Sequence, residues 1–258
     1  MEIIDHKEAF KLVDKHLRFH CVKGIVQVDG VLYLVEWENR TKLPVDLSQL
    51  RIVQRLETED RGLIMRSTWT RASEQDCHIK TPGIHAYYSA SDLKGLIFRE
   101  IETYELLKTH PHPNISRYFG CMEVRGRVYG LCFKRYKMTL LERVNPECLN
   151  KTAFLLSGRP VIDVTLKPAL DKLSEGIKYI HSLGIIHNDI TPSNIMVDYD
   201  GTLGELLDAN GIGTKRTYGW HNLDITVATE KNDLDAFTEL QTWLFGFSAD
   251  SYLFNRSG

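Results

Sequence analysis

The stretch His187–Asp198 reads HNDITPSNIMVD, and its surroundings decide the fold. Before it, Leu170, Leu173, Ile177 and Ile180 recur at three- and four-residue spacing within 166–183, which predicts a helix that Gly184 ends. After it comes Ile195–Val197, a short β-prone run, with a turn expected at Asp200 and Gly201 before a second run at 203–207. The loop itself carries a carboxylate, Asp189, and a carboxamide, Asn194, five residues apart. Taken singly, either side chain is an ordinary turn cap. Their company argues for more. A lysine, Lys80, closes the run 77–80; a glutamate, Glu100, stands on a helical stretch at 92–108; and Asp208 follows Asp189 by nineteen residues.

In this order the residues resemble the protein kinase superfamily, and small fungal protein kinase-like domains within it. HNDITPSN resembles the catalytic loop HRDLxxxxN, CHIK resembles the VAIK strand, and HPHPNI resembles the turn that follows the kinase helix. The resemblance implies that Asp189 orients the acceptor hydroxyl and that Lys80, held by Glu100, grips the first phosphates of ATP. It further implies that Asn194 and Asp208, the latter at the position of the DFG aspartate, bind Mg2+. Both offer oxygen, the donor this hard cation prefers. Residues 132–137 stand at the hinge, so Lys134, Arg135 and Tyr136 are assigned to adenine by position alone. TYGWHN and EKNDLDAF resemble the end of the activation segment and the next helix, in which Asp233 would hold the catalytic loop backbone. His187 is expected to support the loop by packing.

Other features depart from the family pattern. Where a glycine-rich phosphate cover is expected, ETEDRG at 57–62 offers one glycine and three carboxylates, and carboxylates repel phosphates unless turned outward. DFG reads Asp208, Ala209, Asn210; losing a buried Phe typically costs about 3–5 kcal/mol unless a neighbour such as Tyr104 fills the space. Asn188 replaces the arginine that receives an activation-loop phosphate, so that switch is not expected. Thr191 stands where many serine/threonine kinases keep a lysine near the transferred phosphate. The later substrate-docking helices are expected to be incomplete.

The rest of the chain reads as follows. Phe10, Val13 and Leu17 at helical spacing behind Asp5 predict a short amphipathic helix over 5–18, and Asp29-Gly30 predicts a hairpin within 22–37. The runs 51–56, 63–66 and 77–80 are expected to share one small antiparallel sheet, and 124–133 to form a strand pair about Gly126. A last helix is expected over 234–244. The expected fold is α+β and bilobal: an accessory helix and hairpin at 1–50, a sheet lobe with one long helix at 51–137, and a short, mainly helical lobe at 138–258. Five scattered cysteines without a CxxC pair suggest free thiols in a reducing compartment. A net charge of -2 in 258 residues excludes nucleic-acid binding driven by global charge, and no apolar run is long enough to span a membrane. The expected protein is a cytoplasmic or nuclear monomer transferring phosphate from MgATP to protein Ser/Thr hydroxyls. The alternatives are a non-catalytic pseudokinase scaffold and an aminoglycoside- or choline-type small-molecule phosphotransferase.

Overall fold

The computed structural model describes residues 1–14, 16–56, 62–73, 76–81, 93–159, 162, 166–198, 203–205 and 216–254. They divide into two compact units, one formed by Met1–Leu63 with Thr81–Leu93 and the other by Ile64–Lys80 with Lys94–Gly258.

The first unit is a four-stranded antiparallel meander of β1 (Glu2–Val13), β2 (His16–Val28), β3 (Val31–Trp37) and β4 (Arg51–Leu56). Asp29 and Gly30 turn the β2–β3 hairpin with φ of 49° and 78°, both left-handed, as a two-residue turn of this sequence requires. The helix expected over 5–18 is not formed. β1 instead pairs with β2 from Glu2 opposite Gln27 to Val13 opposite His16. The physical reason is burial: Phe10, Val13 and Leu17 stay exposed, so their spacing serves no packed helical face. Phe10 meets Phe19 edge-on across the strands, under the Arg40 guanidinium, which also bonds Glu8. Alternation along β2 and β3 places Val22, Val26, Val35 and Trp37 in one cluster, and Ile25 and Leu34 with Leu56 in another.

The second unit holds a three-stranded sheet in the order β5 (His78–Lys80), β7 (Arg127–Phe133), β6 (Tyr118–Val124). Helix α1 (Leu93–Thr109) buries Ile97, Ile101, Tyr104 and Leu107 as its pattern predicts. Tyr104 is fully buried against Tyr118 and Phe133. Arg125 and Gly126, at φ of 51° and 76°, turn β6 into β7. The expected grouping of strands is corrected: β4 pairs with β3 in the other sheet, and 63–66 contributes an isolated bridge, Ile64 to Arg127. Short runs with unpaired edges carry no sign of which sheet they join.

The rest of this unit contains β8 (Met138–Thr139), α2 (Leu140–Val144), α3 (Lys151–Leu156), α4 (Leu166–Ser182), β9 (Ile195–Val197), β10 (Leu203–Glu205) and α5 (Glu230–Phe245). Leu170, Leu173 and Ile177 of the α4 stripe pack with Phe154, Leu240 and Trp243 into one core. The HPHPNI turn docks on α4, where Asn114 donates to the Lys172 carbonyl at 2.7 Å and His112 stacks on Tyr179. Gly176 allows this close approach: a Cβ there would come within 3.2 Å of Asn114, which would have to shift by a few tenths of an ångström.

The expectation of free thiols is also corrected, since Cys77 is disulfide-bonded to Cys132. The pair is 55 residues apart in sequence, but β5–β7 pairing sets Ile79 opposite Cys132 and brings the two Cα atoms to 5.8 Å. Closing a loop of that length stabilises by about 2–4 kcal/mol. Cys132→Ser is therefore expected to lower the chemical-unfolding midpoint under non-reducing conditions, and a reductant to lower the wild-type midpoint to match.

Candidate active site

Lys80 lies on the sheet-edge strand β5, and Glu100 on the second turn of α1. The Lys80 ammonium sits 2.7 Å from Glu100 Oε1, with the two side chains 25% and 14% exposed. The cation is thus held by a carboxylate but not sealed from solvent. This is the pairing that the resemblance to the kinase strand lysine and helix glutamate implied.

The catalytic loop is organised from beneath by Asp233, which is fully buried on the first turn of α5. Its Oδ2 accepts the His187 backbone N–H at 2.9 Å and a His181 ring bond at 2.8 Å; its Oδ1 accepts the Asn188 N–H at 2.6 Å. A carboxylate satisfied by fixed donors is a strong anchor. Asn188 adopts φ of 63°, a region that Asn tolerates better than most residues, and its Oδ1 accepts from the Asn232 amide at 2.8 Å. His187 is also fully buried, and its Nδ1 accepts the Asp189 N–H at 3.1 Å, the supporting role expected of it.

Above this base, Asn194 Nδ2 donates to the Asp189 carbonyl at 2.8 Å and to Asp189 Oδ2 at 3.1 Å. Thr217 N–H donates to Asp189 Oδ1 at 2.9 Å. The aspartate is therefore oriented from both sides, and the Asn194 amide is turned so that its nitrogen faces Asp189. Asn194 Oδ1, left without a donor among the described residues, is the atom suited to a hard cation. Asp208 and the 57–61 loop lie outside the described residues. Thr191 is buried, and its hydroxyl has no partner among the described residues.

At the hinge, Lys134 N–H donates to the Arg117 carbonyl at 2.8 Å, and the Lys134 side chain pairs with Asp198. Arg135 bonds Asp76 and the Cys77 carbonyl, and Tyr136 lies 5.1 Å from the Lys134 ammonium. Both cations brace neighbouring strands.

Sequence reasoning missed two supports. Lys151 pairs with the fully buried Glu239 and donates to the Gly219 carbonyl, 4.4 Å from the Trp220 ring centroid. Burial pushes the Lys151 pKa down, against the upward pull of Glu239. This cluster secures 217–220, whose first N–H orients Asp189. The other support is the segment Ile64–Ala72, which lies along α1; an isolated tryptophan at 69 in a polar stretch was the available signal.

A strand lysine paired to a helix glutamate, together with an aspartate–asparagine loop clamped by a buried aspartate, defines the kinase-like class of fold. A family model for the protein kinase domain matches residues 73–209, more than half of the chain. The chain belongs to the protein kinase family. It is similar to the sperm motility kinase Tcr mutant form of Mus musculus, at 29% identity over 153 residues, covering 59% of this chain and 25% of that protein. It is similar to the serine/threonine-protein kinase SSK22 of Saccharomyces cerevisiae, at 30% identity over 139 residues, covering 54% of this chain and 9% of that protein. A MAP kinase kinase kinase of the same yeast, SSK2, shares 30% identity over 125 residues, covering 48% of this chain and 7% of that protein. The match spans a quarter or less of each relative's length. Among the described residues, no helix is long and apolar enough to cross a membrane.

Proposed function

We propose that this chain transfers the γ-phosphoryl group of ATP to a serine or threonine hydroxyl of a protein, with Lys80, Glu100, Asp189, Asn194 and Asp208 as its working residues. The observation that carries the reading is the coexistence of an assembled Lys80–Glu100 pair with an Asp189 carboxylate oriented on both oxygens. Lys80 meets the phosphates as a cation already fixed in place, so little reorganisation is needed when charge develops. Asp189 accepts the proton of the acceptor hydroxyl as its oxygen bonds to the γ-phosphorus and the bond to the β-phosphate oxygen breaks, releasing ADP. Asn194 Oδ1 and Asp208 would hold Mg2+, which neutralises phosphate charge when bound. The backbone of Arg135 and Tyr136 would take adenine, the Lys134 N–H being engaged by the Arg117 carbonyl.

Transfer from labelled ATP to a protein acceptor tests the proposal. Lys80→Met is expected to lower the rate by about 10²–10³-fold, as removal of a preorganised charge does elsewhere. Wild-type protein that transfers nothing, with Mg2+ and a range of peptide acceptors, overturns it. The buried Thr191, in place of a cation near the transferred phosphate, favours a second reading in which the domain binds nucleotide without turnover. A thermal shift with MgATP and no transfer would mark that case.

A further inference from the structure

We propose that the segment Ile64–Ala72 is a strap that holds α1 in register with Lys80, making Trp69, Thr70, Glu102 and Glu105 positioning residues for the site; this rests on the phosphotransfer reading above. Phe98, Glu102 and Glu105 stand at i, i+4 and i+7, so they form one stripe on α1 beside the buried stripe of Ile97, Ile101 and Tyr104. Each residue of the first stripe meets the strap. The Arg66 guanidinium lies 4.5 Å from the Phe98 ring centroid, Trp69 Nε1–H donates to Glu102 at 2.7 Å, and Thr70 donates twice to Glu105, each at 2.8 Å. Three attachments over seven residues, about 10 Å of helix, resist both sliding and rotation. Turning α1 by one residue would break all of them and swing Glu100 away from β5.

The strap is in turn fixed to the sheet that carries Lys80. Met65 N–H donates to the Gly126 carbonyl at 2.8 Å, Cys121 N–H to the Thr70 carbonyl at 2.7 Å, and Ala72 N–H to the Cys121 carbonyl at 2.9 Å. A closed path therefore runs from Lys80 through β5, β7, β6, the strap and α1 to Glu100 and back to Lys80. Gly120 makes the strap's approach possible. Its φ is 144°, and a Cβ there would lie 2.7–2.9 Å from backbone atoms of Thr70, Arg71 and Ala72. Backbone on both sides leaves no flexible side chain to yield.

The test reads Lys80 directly and needs no nucleotide. Under native conditions, acylation of individual lysine amines by an acetyl N-hydroxysuccinimide ester is measured by mass spectrometry. Three variants are compared with wild type: Trp69→Phe combined with Glu102→Ala, Glu105→Ala, and Gly120→Ala. Each is expected to raise Lys80 acylation at least about fivefold, the factor that one lost ordinary hydrogen bond supports, without raising that of the half-buried Lys151. Glu105→Gln, which keeps an acceptor, is expected to recover most of the protection. Unchanged Lys80 acylation in the folded variants overturns the proposal, and so does a rise shared equally by Lys151, which would mean general loosening. Glu102 is solvent-exposed whereas Trp69 is buried, so Glu102→Ala alone is run beside the double variant and tests the proposal even if Gly120→Ala fails to fold. Lys80 protection that follows the strap in a wild-type protein without transfer activity leaves the strap standing and removes the phosphotransfer reading alone.

Discussion

Asp233→Ala is expected to destabilise the second unit by about 3–5 kcal/mol, the range for removing one partner from a buried charged network. The side chain is fully buried and accepts from two consecutive backbone N–H groups and the His181 ring. Alanine would leave these donors facing a void too confined for each to find water, and an unsatisfied buried donor costs the full desolvation penalty. For a protein of this size each kcal/mol moves the melting temperature by about 2–4 °C, so a fall of about 6–20 °C should appear in calorimetry. Asp233→Asn keeps one carbonyl oxygen and should lose less. A melting temperature within about 2 °C of wild type for the alanine variant would contradict the anchoring role.

The second large effect concerns turnover. Asp189→Ala is expected to lower kcat by about 10²–10⁴-fold, the usual contribution of a positioned general base, while KM for ATP changes little. The separation of the two parameters matters, because the proposed phosphotransfer puts Asp189 on the acceptor side of the reaction and Lys80 on the donor side. Asp189→Asn sharpens the test. The amide oxygen can still accept the Thr217 N–H, and the Asn194 bond to the residue 189 carbonyl survives, but the amide nitrogen would face Asn194 Nδ2, donor against donor, and it cannot take up a proton as the carboxylate does. Equal losses in both variants, with native melting curves, assign the effect to proton transfer. Activity close to wild type in Asp189→Asn would assign the residue to loop support instead.

Much of the site was legible because its residues belong to local strings whose order is informative. HxD followed five residues later by Asn, a strand lysine and a helix glutamate pointed to two pairs that the structure holds together, Lys80 with Glu100 and Asp189 with Asn194, even though Lys80 and Asp189 are over a hundred residues apart. The assignment of Asp233, which alone is an unremarkable helix carboxylate, depended on the strings around it. The opening segment failed for the opposite reason: Phe10, Val13 and Leu17 satisfy a helical spacing by chance, and nothing local says that β2 is available as a pairing partner. The disulfide and the strap are likewise non-local. Their partners are chosen by strand register and by the approach that Gly120 allows, neither of which leaves a period in the sequence.

The contact between Asn188 and Asn232 has one more implication. Two neutral amides joined inside the protein present no net charge to dissolved ions, and screening acts chiefly on exposed charges. The backbone beneath Asp189 should therefore keep its shape from dilute buffer to concentrated salt, whereas a loop fastened by an arginine and a phosphate would slacken as ionic strength rises.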